Sequence, residues 1–152
     1  MSCENQLMTV TTRAFFYIQQ VEQLVRQRLD ETLEPNGLTA GQYMVLSMVA
    51  HHEPITSAEL ARLARMKAPS MGEHVKALEQ KGCLERRGDP NNRRVLLVGC
   101  TKEGRAVLAR CEEAVNRAER DFFSCLQAQE VADLRYSLSR IRNAARQARK
   151  EG

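Results

Sequence analysis

Positively charged side chains are concentrated around one turn in the second half of the chain, where the pattern predicts a β-hairpin. The segment contains Arg86, Arg87, Arg93 and Arg94, with Asp89-Pro90-Asn91-Asn92 between the two pairs. Arginine on a narrow protrusion can enter a narrow minor groove of duplex DNA, where negative potential is concentrated. The segment therefore indicates a loop that contacts nucleic acid. The alternative is a solvated hairpin whose charges only keep it soluble.

The helix predicted just before this hairpin carries a second set of groups that can bind DNA. Pro69 suits the start of a helix, because its missing N–H would be unpaired there. In a helix-turn-helix protein, outward residues near the start of the second helix approach base edges and phosphates. The candidate DNA-binding residues are Lys67, Pro69, Ser70, Met71, Glu73, His74, Lys76, Arg86, Asn91, Asn92, Arg93 and Arg94. Taken alone, such a helix could also be an ordinary exposed surface.

Local helix signals predict the elements that position these residues. Thr39 with Gln42, and Thr56 with Glu59, form capping boxes that begin two helices. Gly82 suits the end of the candidate recognition helix. The whole pattern predicts helices over about 9–34, 39–53, 56–64, 69–81, 101–126 and 130–149, and strands over 83–87 and 95–98. This order, α-α-α-α-β-β-α-α, is a mostly α-helical fold with a small β-hairpin.

Composition places the chain among globular proteins with a mildly basic surface. It has 152 residues, 43% hydrophobic and 28% charged, with a net charge of +4. This charge fits a nucleic-acid partner without demonstrating one. No apolar run approaches the ~20 residues that span a bilayer, and the N-terminus lacks the pattern of a signal peptide. We therefore expect a cytoplasmic protein that has no membrane partner.

Several segments together resemble the MarR family of bacterial transcription regulators. They are Leu38-Thr39-x-x-Gln42-Tyr43-x-x-Leu46, Glu59-Leu60-Ala61, Leu78-Glu79-Gln80-Lys81-Gly82, Asp89-Pro90-Asn91-Asn92-Arg93-Arg94-Val95-Leu96-Leu97-Val98 and Thr101-Lys102-Glu103-Gly104-Arg105. The resemblance covers nearly the whole chain, and the order of elements agrees. It implies a symmetric homodimer with winged helix-turn-helix lobes. Residues 1–37 and 102–152 would form the helical dimerisation region, and residues 38–101 the DNA-binding region.

The resemblance also implies what the protein binds. Family members usually bind a short pseudo-palindromic operator in double-stranded DNA and repress nearby genes, and a small effector, often an aromatic carboxylate or a phenol, commonly releases them. The family wing often reads Asp-x-Arg-x-x-Arg. Here Asp89 and Arg94 match, but Asn91 stands in place of the first arginine. We therefore expect one DNA contact to differ, with Arg93 as its substitute.

In proteins that resemble this one, the effector pocket lies between the DNA-reading elements and the dimer helices. The candidate lining residues are Arg13, Tyr17, Met44, Met48 and His51. A cation in an apolar cleft would hold a carboxylate, and methionines adapt to flat rings. The alternative for Met44 and Met48 is ordinary packing in the core.

The terminal helices hold most of the aromatic residues, which independently favours a shared helical interface. These residues are Phe15, Phe16, Phe122, Phe123 and Tyr136. Packing of these helices onto the chain's own DNA-reading elements is the alternative. The final helix is rich in arginine, with Arg135, Arg140, Arg142, Arg146 and Arg149. We interpret this stretch as a solvated face or as a partner for acidic residues of the second subunit, rather than as a DNA contact.

Cysteine-based redox sensing is the main alternative mechanism. The chain has Cys3, Cys83, Cys100, Cys111 and Cys125, with no CxxC pair, and free thiols are the simplest prediction. A sensor thiol needs a lowered pKa and access to solvent. Peroxide-sensing relatives carry the reactive cysteine in the first helix, where this chain has Phe15-Phe16-Tyr17 instead.

Other classes of function are disfavoured. His51-His52-Glu53 has no third histidine at ligand spacing, so we expect no metal site. The chain has no glycine-rich phosphate loop, nucleophile elbow or HExxH motif, and we expect neither an enzyme nor a cofactor. A winged helix used only for protein contacts is an alternative of another class, and the wing arginines argue against it.

Overall fold

The computed structural model describes residues 13–151, including the side chains of residues 13–149. The helices are α1 (Ala14–Leu33), α2 (Ala40–His52), α3 (Ser57–Ala64), α4 (Ala68–Gln80), α5 (Lys102–Phe122) and α6 (Ala128–Glu151). The strands are β1 (Ile55–Thr56), β2 (Leu84–Asp89) and β3 (Asn92–Cys100). A mostly helical fold with a small sheet confirms the predicted class. The part of the first predicted helix before residue 13 lies outside the described residues.

Both predicted capping boxes are present. At α2, the Thr39 N–H donates to Gln42 Oε1 and the Gln42 N–H donates to Thr39 Oγ1, each at 3.2 Å. At α3, the Thr56 N–H donates to Glu59 Oε2 at 3.0 Å and the Glu59 N–H donates to Thr56 Oγ1 at 3.1 Å. The bonds from the backbone N–H and the hydroxyl of Thr56 lower the pKa of the Glu59 carboxyl. These reciprocal bonds satisfy N–H groups that a helix start leaves unpaired.

Glycine ends α4 as the sequence predicts. Gly82 has φ of +71°, a left-handed conformation that glycine adopts without steric cost. Its N–H donates to Glu79 O, and the N–H of Cys83 donates to Leu78 O, both at 2.9 Å. These bonds take up the last carbonyls of the helix and turn the chain directly into β2.

The sheet is antiparallel with the strand order β1-β3-β2. The β-hairpin of β2 and β3, called the wing below, turns at Pro90-Asn91, with Asp89 opposite Asn92. Both strands extend further into this turn than the sequence predicts, because cross-strand pairing continues through positions whose residues favour loops. The two-residue strand β1 is too short to show a period in the sequence, and it forms only by pairing Ile55 with Val98 and Thr56 with Leu97.

The described chain divides into two compact units, with the boundary inside α5 between Val115 and Asn116. The first unit contains the core, to which α2, α3, α4, the sheet, the end of α1 and the first part of α5 contribute. Its completely buried side chains include Leu33, Val45, Leu46, Val49, Leu60, Met71, Val75, Leu78 and Cys111. These two units follow contacts between residues and do not test the predicted functional regions. The division into a DNA-binding region at 38–101 and a dimerisation region at 1–37 and 102–152 stays a prediction.

The second unit consists of the end of α5 and α6. The rings of Phe122 and Phe123 meet edge to face, with centroids 5.2 Å apart. Glu119 and Arg135 form an ion pair of 2.9 Å between the two helices. None of the described residues of this unit is completely buried. A helical hairpin with so little buried apolar surface is too small to be stable by itself.

Apolar side chains are exposed along α1 in the first unit and along α6 in the second. On α1 they are Phe15, Phe16, Tyr17, Ile18, Val21 and Leu24, and on α6 they are Tyr136, Leu138 and Ile141. Several large apolar side chains exposed along one helix are typical of an interaction site. Within residues 13–151, no helix is long and apolar enough to cross a membrane.

Candidate nucleic-acid interface

The N-terminus of α4 presents its first turn to solvent. The helix begins at Ala68, so Pro69 occupies the second helical position rather than the first. No side chain caps this end, where the helix dipole and free N–H groups favour an anion such as a phosphate. The candidate residues Lys67, Pro69, Ser70, Glu73 and Lys76 are all exposed. These residues are accessible, and their DNA contacts remain predictions.

Met71 is an exception among the candidates and requires a correction. Its side chain is 0% exposed, within the core of the first unit. Position 71 falls on the inward side of α4 together with Val75 and Leu78, which are also completely buried. The expectation that Met71 contacts DNA is therefore wrong, because its side chain cannot reach a ligand outside the core.

His74 is half-buried, and its ring lies against Gly41 in the first turn of α2. A Cβ atom at residue 41 would stand 2.7 Å from His74 Cε1 and 3.1 Å from Nε2. The absence of a side chain at Gly41 thus lets the His74 ring lie directly over the α2 backbone. This contact limits the directions in which the imidazole can point, so α2 takes part in orienting a candidate base-reading group.

The wing tip is shaped by two side-chain-to-backbone bonds. Asp89 Oδ1 accepts from the Asn91 N–H at 2.9 Å, and Asn92 Oδ1 accepts from the Arg94 N–H at 3.1 Å. Short polar side chains commonly stabilise turns in this way. Asn91, Asn92, Arg93 and Arg94 are all exposed. The pairing of β2 and β3 is irregular here, because Gly88 lies opposite Leu96 and Asp89 opposite Asn92, so Arg93 and Arg94 fall in a bulged part of the wing tip.

Arg86 has a partner within the protein. Its Nε lies 3.1 Å from Glu79 Oε2, and the two side chains are only 34% and 28% exposed. The pair joins β2 to α4, so it links the wing to this helix. Arg87 differs, because it pairs with its strand neighbour Glu85 on a more exposed surface. The structure therefore gives Arg86 a positioning role that the sequence pattern does not reveal.

Further polar contacts attach α4 and the wing to the rest of the first unit. The Lys81 ammonium donates to the carbonyl of Gly37 and, at 2.7 Å, to Gln42 Oε1. The Thr101 hydroxyl donates to Gly82 O at 2.6 Å and accepts from the Gly104 N–H at 2.9 Å. Most of these contacts join residues that are far apart in the sequence, which explains why no local pattern predicts them.

The five predicted effector residues lie at the start of α1 and on α2. Arg13 precedes α1, where Tyr17 is 45% exposed, and Met44 on α2 is 38% exposed. Met48 packs partly against the core, and His51 Nδ1 lies 2.8 Å from Ser47 O. A cleft of about 770 Å³ in the same unit has other lining residues, among them Arg26, Asp30, Glu34 and Thr39. The predicted effector site therefore stays a prediction.

Three cysteines have thiols that are harder to ionise than usual. Burial raises the pKa of Cys100 to about 11 and also raises the pKa values of Cys83 and Cys111. Cys125 is exposed, and Cys3 lies outside the described residues. Within residues 13–151, no group of three or more His, Cys, Asp or Glu residues is placed to hold a metal ion.

Comparisons with known proteins agree with this geometry. The family model described as "MarR family" matches residues 38–96. The multiple antibiotic resistance protein MarR of Escherichia coli is 31% identical over 125 residues, covering 82% of this chain and 87% of that protein. An HTH-type transcriptional repressor of Mycobacterium bovis is 27% identical over 126 residues, covering 83% and 91%. The crystal structure of a cysteine-to-serine mutant of E. coli MarR complexed with operator DNA has a TM-score of 0.76 at 28% identity, covering 93% of this chain and 99% of that one.

Proposed function

Because this chain belongs to the MarR family, we propose that it is a homodimeric repressor that binds a pseudo-palindromic operator and is released by a small aromatic or phenolic carboxylate. In broader terms, the chain is a DNA-binding transcription regulator and not an enzyme. MarR-family proteins are dimeric, and the exposed apolar side chains of α1 and α6 supply surfaces that a second copy can cover. A DNA partner of this kind favours a cytoplasmic location.

The observation that carries the DNA-binding proposal is the attachment of the wing to α4. The exposed residues at the start of α4 are Lys67, Ser70 and Glu73, and the Glu79–Arg86 pair links this helix to β2. With α4 and β2 linked in this way, the same unit can place a helix in the major groove and a hairpin tip on the adjoining backbone or minor groove. The residues exposed on α4 supply base contacts, and the exposed wing residues supply phosphate or minor-groove contacts.

Selection from a random pool of duplexes tests specific binding without knowledge of the operator. The wild-type protein should enrich a sequence with two inverted half-sites and bind it as a dimer. A scrambled duplex of the same length and composition is the matched control. If the pool yields no sequence that binds more tightly than the scrambled duplex, the chain is not a sequence-specific regulator.

The effector proposal rests on the residue types of Arg13, Tyr17, Met44, Met48 and His51, which are a cation, a histidine, an aromatic ring and two thioethers at the start of α1 and on α2. A ligand that binds only the folded protein raises its melting temperature, and one that favours the DNA-free state must lower DNA affinity. We expect hydroxybenzoates to have both effects and the corresponding uncharged amides to have neither. A screen that finds no such carboxylate would contradict this class of effector.

A matched pair of variants tests where the effector binds. Arg13→Gln should abolish the ligand-induced thermal shift, because the carboxylate loses its proposed partner. Arg28→Gln removes another exposed guanidinium, which lies on α1, and should leave the ligand-induced thermal shift intact. Equal responses of the two variants would exclude Arg13 from the site.

The environments of three of the five cysteines disfavour the redox alternative for those thiols. The thiolate is the form that reacts with oxidants, and burial raises the pKa of the thiols of Cys83, Cys100 and Cys111. We therefore propose that release depends on a ligand rather than on oxidation. A variant with all five cysteines replaced should bind DNA and respond to the carboxylate like the wild type. If peroxide releases the wild type but not this variant, the redox mechanism is the correct one.

A further inference from the structure

Three elements of the first unit meet at the side chain of Glu53, the residue that follows α2. Glu53 Oε2 accepts from the Cys100 N–H at 2.6 Å, at the last residue of β3. Glu53 Oε1 pairs with the guanidinium of Arg105 in the first turns of α5. The Glu53 side chain is only 21% exposed. This group of Glu53, Cys100 and Arg105, called the Glu53 junction below, joins α2, the central strand of the sheet and α5.

Two further contacts lie beside the Glu53 carboxylate, one at Gly99 and one at the Cys100 thiol. A Cβ atom at Gly99 would stand 3.3 Å from Glu53 Oε2, closer than ordinary contact, so glycine leaves the approach to the Cys100 N–H open. The Cys100 thiol lies 3.9 Å from the carbonyl of Leu46, which is completely buried in α2. The end of β3 is therefore held against α2 at two points.

The Glu53 junction lies next to the point where the backbone pairing of β1 with β3 ends. On one side, β1 pairs with β3 only through Val98 and Leu97. The Cys100 N–H lies beyond this pairing and receives its acceptor from the Glu53 side chain instead of from another strand. A hydrogen bond from a backbone N–H to a charged acceptor is stronger than one between neutral groups. The carboxylate thus secures the end of β3 on the side of β1, while β2 pairs with the same end through Leu84 on the other side.

Because β3 runs from Cys100 to the wing tip, a small rotation of the strand at Cys100 produces a larger displacement at Arg94. Arg94 lies six residues from Cys100, so the segment between them spans at most about 20 Å at roughly 3.3 Å per residue, and less where the pairing with β2 is irregular near the tip. A rotation of about 10° around Cys100 would then move Arg94 by up to about 3.5 Å. A hydrogen bond to DNA does not survive a displacement of this size, because donor–acceptor distances vary by only a few tenths of an ångström.

We propose that Glu53 is a positioning residue for DNA recognition, which sets the angle of the wing through its ion pair with Arg105 and its bond to the Cys100 N–H. Glu53 itself touches no DNA in this proposal. The residue acts through β3 on the wing arginines, and through Arg105 on the start of α5. The inference rests on the proposed function, since it requires that the wing contacts DNA.

Substitutions that preserve shape can separate positioning from folding. Glu53→Gln keeps an oxygen acceptor for the Cys100 N–H but loses the ion pair, and Arg105→Gln removes the same pair from the other side. Arg110→Gln is the matched control, because it removes an equally exposed arginine from α5 whose contact with Glu103 is 4.0 Å long. The probe is the duplex that the wild-type protein selects from a random pool, bound by the intact dimer.

We expect Glu53→Gln and Arg105→Gln each to weaken binding by about three- to tenfold, as the loss of a half-exposed ion pair in two subunits would allow. The double variant should bind no more weakly than either single variant, because both remove one interaction. The slope of log Kd against log salt should also fall, since displaced wing arginines no longer reach phosphates. Arg110→Gln should change neither quantity.

Hydrogen exchange and melting temperature supply readouts on the free protein. Glu53→Ala should speed exchange at the Cys100 amide and in β3, while the amides of α4 stay protected. The proposal is overturned if wild-type affinity and salt slope persist in Glu53→Gln and Arg105→Gln. Glu130→Gln is a stability control, because it alters the acceptor for the Gln127 N–H at the start of α6, away from the junction. The proposal is also overturned if Glu130→Gln, at an equal loss of melting temperature, weakens DNA binding as much as Glu53→Gln and Arg105→Gln do. A wild-type protein that selects no duplex would instead contradict the proposed function.

Discussion

Gly41→Ala should weaken DNA binding without destabilising the protein. The new Cβ would stand 2.7 Å from His74 Cε1, whereas carbon atoms in favourable contact are about 3.5–4.0 Å apart. The imidazole must therefore move by roughly 0.8 Å or more to reach that range. A ring at the end of a flexible side chain can do so without disturbing the core. The helix itself gains from the change, because alanine is favoured over glycine in a helix by up to about 1 kcal/mol.

The expected loss of affinity follows from the hydrogen bond that the displaced ring can no longer make. A single such bond contributes about 1 kcal/mol, so two half-sites lose about 2 kcal/mol in a dimer. This corresponds to about thirtyfold in Kd. Fluorescence anisotropy with the selected duplex measures the affinity, and thermal unfolding measures the stability. The melting temperature should stay constant or rise while Kd increases.

A double-mutant cycle tests whether His74 carries the effect. In the His74→Ala background the methyl group at residue 41 meets no imidazole, so Gly41→Ala should then change Kd very little. The same loss in both backgrounds would refute the reasoning, because the effect would come from α2 itself. An unchanged Kd for Gly41→Ala in the wild-type background would show that the orientation of His74 has no part in binding.

Three other predictions concern the wing, the start of α5 and the thiols. Arg94→Ala should weaken binding and lower the salt slope by about one unit for each phosphate that the arginine neutralises in a half-site; an unchanged slope and Kd would exclude Arg94 from the DNA interface. Gly104→Ala should prevent normal folding, because its Cβ would stand 1.9 Å from the carbonyl oxygen of Cys83, and near-native thermal unfolding of this variant would contradict the close packing. At pH 8 an alkylating reagent should modify the exposed Cys125 in preference to Cys100, whose thiol with a pKa of about 11 stays protonated until the pH is raised much further. Peptide mapping measures both sites, and faster labelling of Cys100 at pH 8 would contradict its raised pKa.

Local patterns predicted every described α-helix because helix signals act within three or four residues, although α5 ends at Phe122 rather than near Leu126 and α6 begins at Ala128 rather than near Glu130. The capping boxes of Thr39 and Thr56 each depend on a partner three positions later, and Gly82 ends α4 through its own backbone conformation. The limits of the strands were harder to predict. The strand β1 exists only because β3 pairs with it, and the loop-favouring residues near Asp89 and Asn92 are drawn into the hairpin by their partners.

The motif of the wing likewise identified the family from sequence, but it did not distinguish accessible residues from structural ones. Met71 lies near the start of the predicted recognition helix and is completely buried. Arg86 belongs to the same basic hairpin as Arg94, yet its partner is Glu79 on the neighbouring helix. Residue type alone cannot separate these roles, because a lysine, an arginine or a methionine has the same chemistry on either side of a helix.

The sequence by itself determined the helical order, the helix caps, the basic hairpin and the family. Each of these features depends on residues that are close together along the chain. Only the tertiary structure decided that Gly41 makes room for His74 and that Glu53 joins β3 to Arg105. Glu53 and Cys100 are 47 positions apart, and no period or motif of the chain encodes such a distance. The physical reason is that a local conformation depends on neighbouring residues, whereas the orientation of a reading surface depends on which distant side chains the fold brings together.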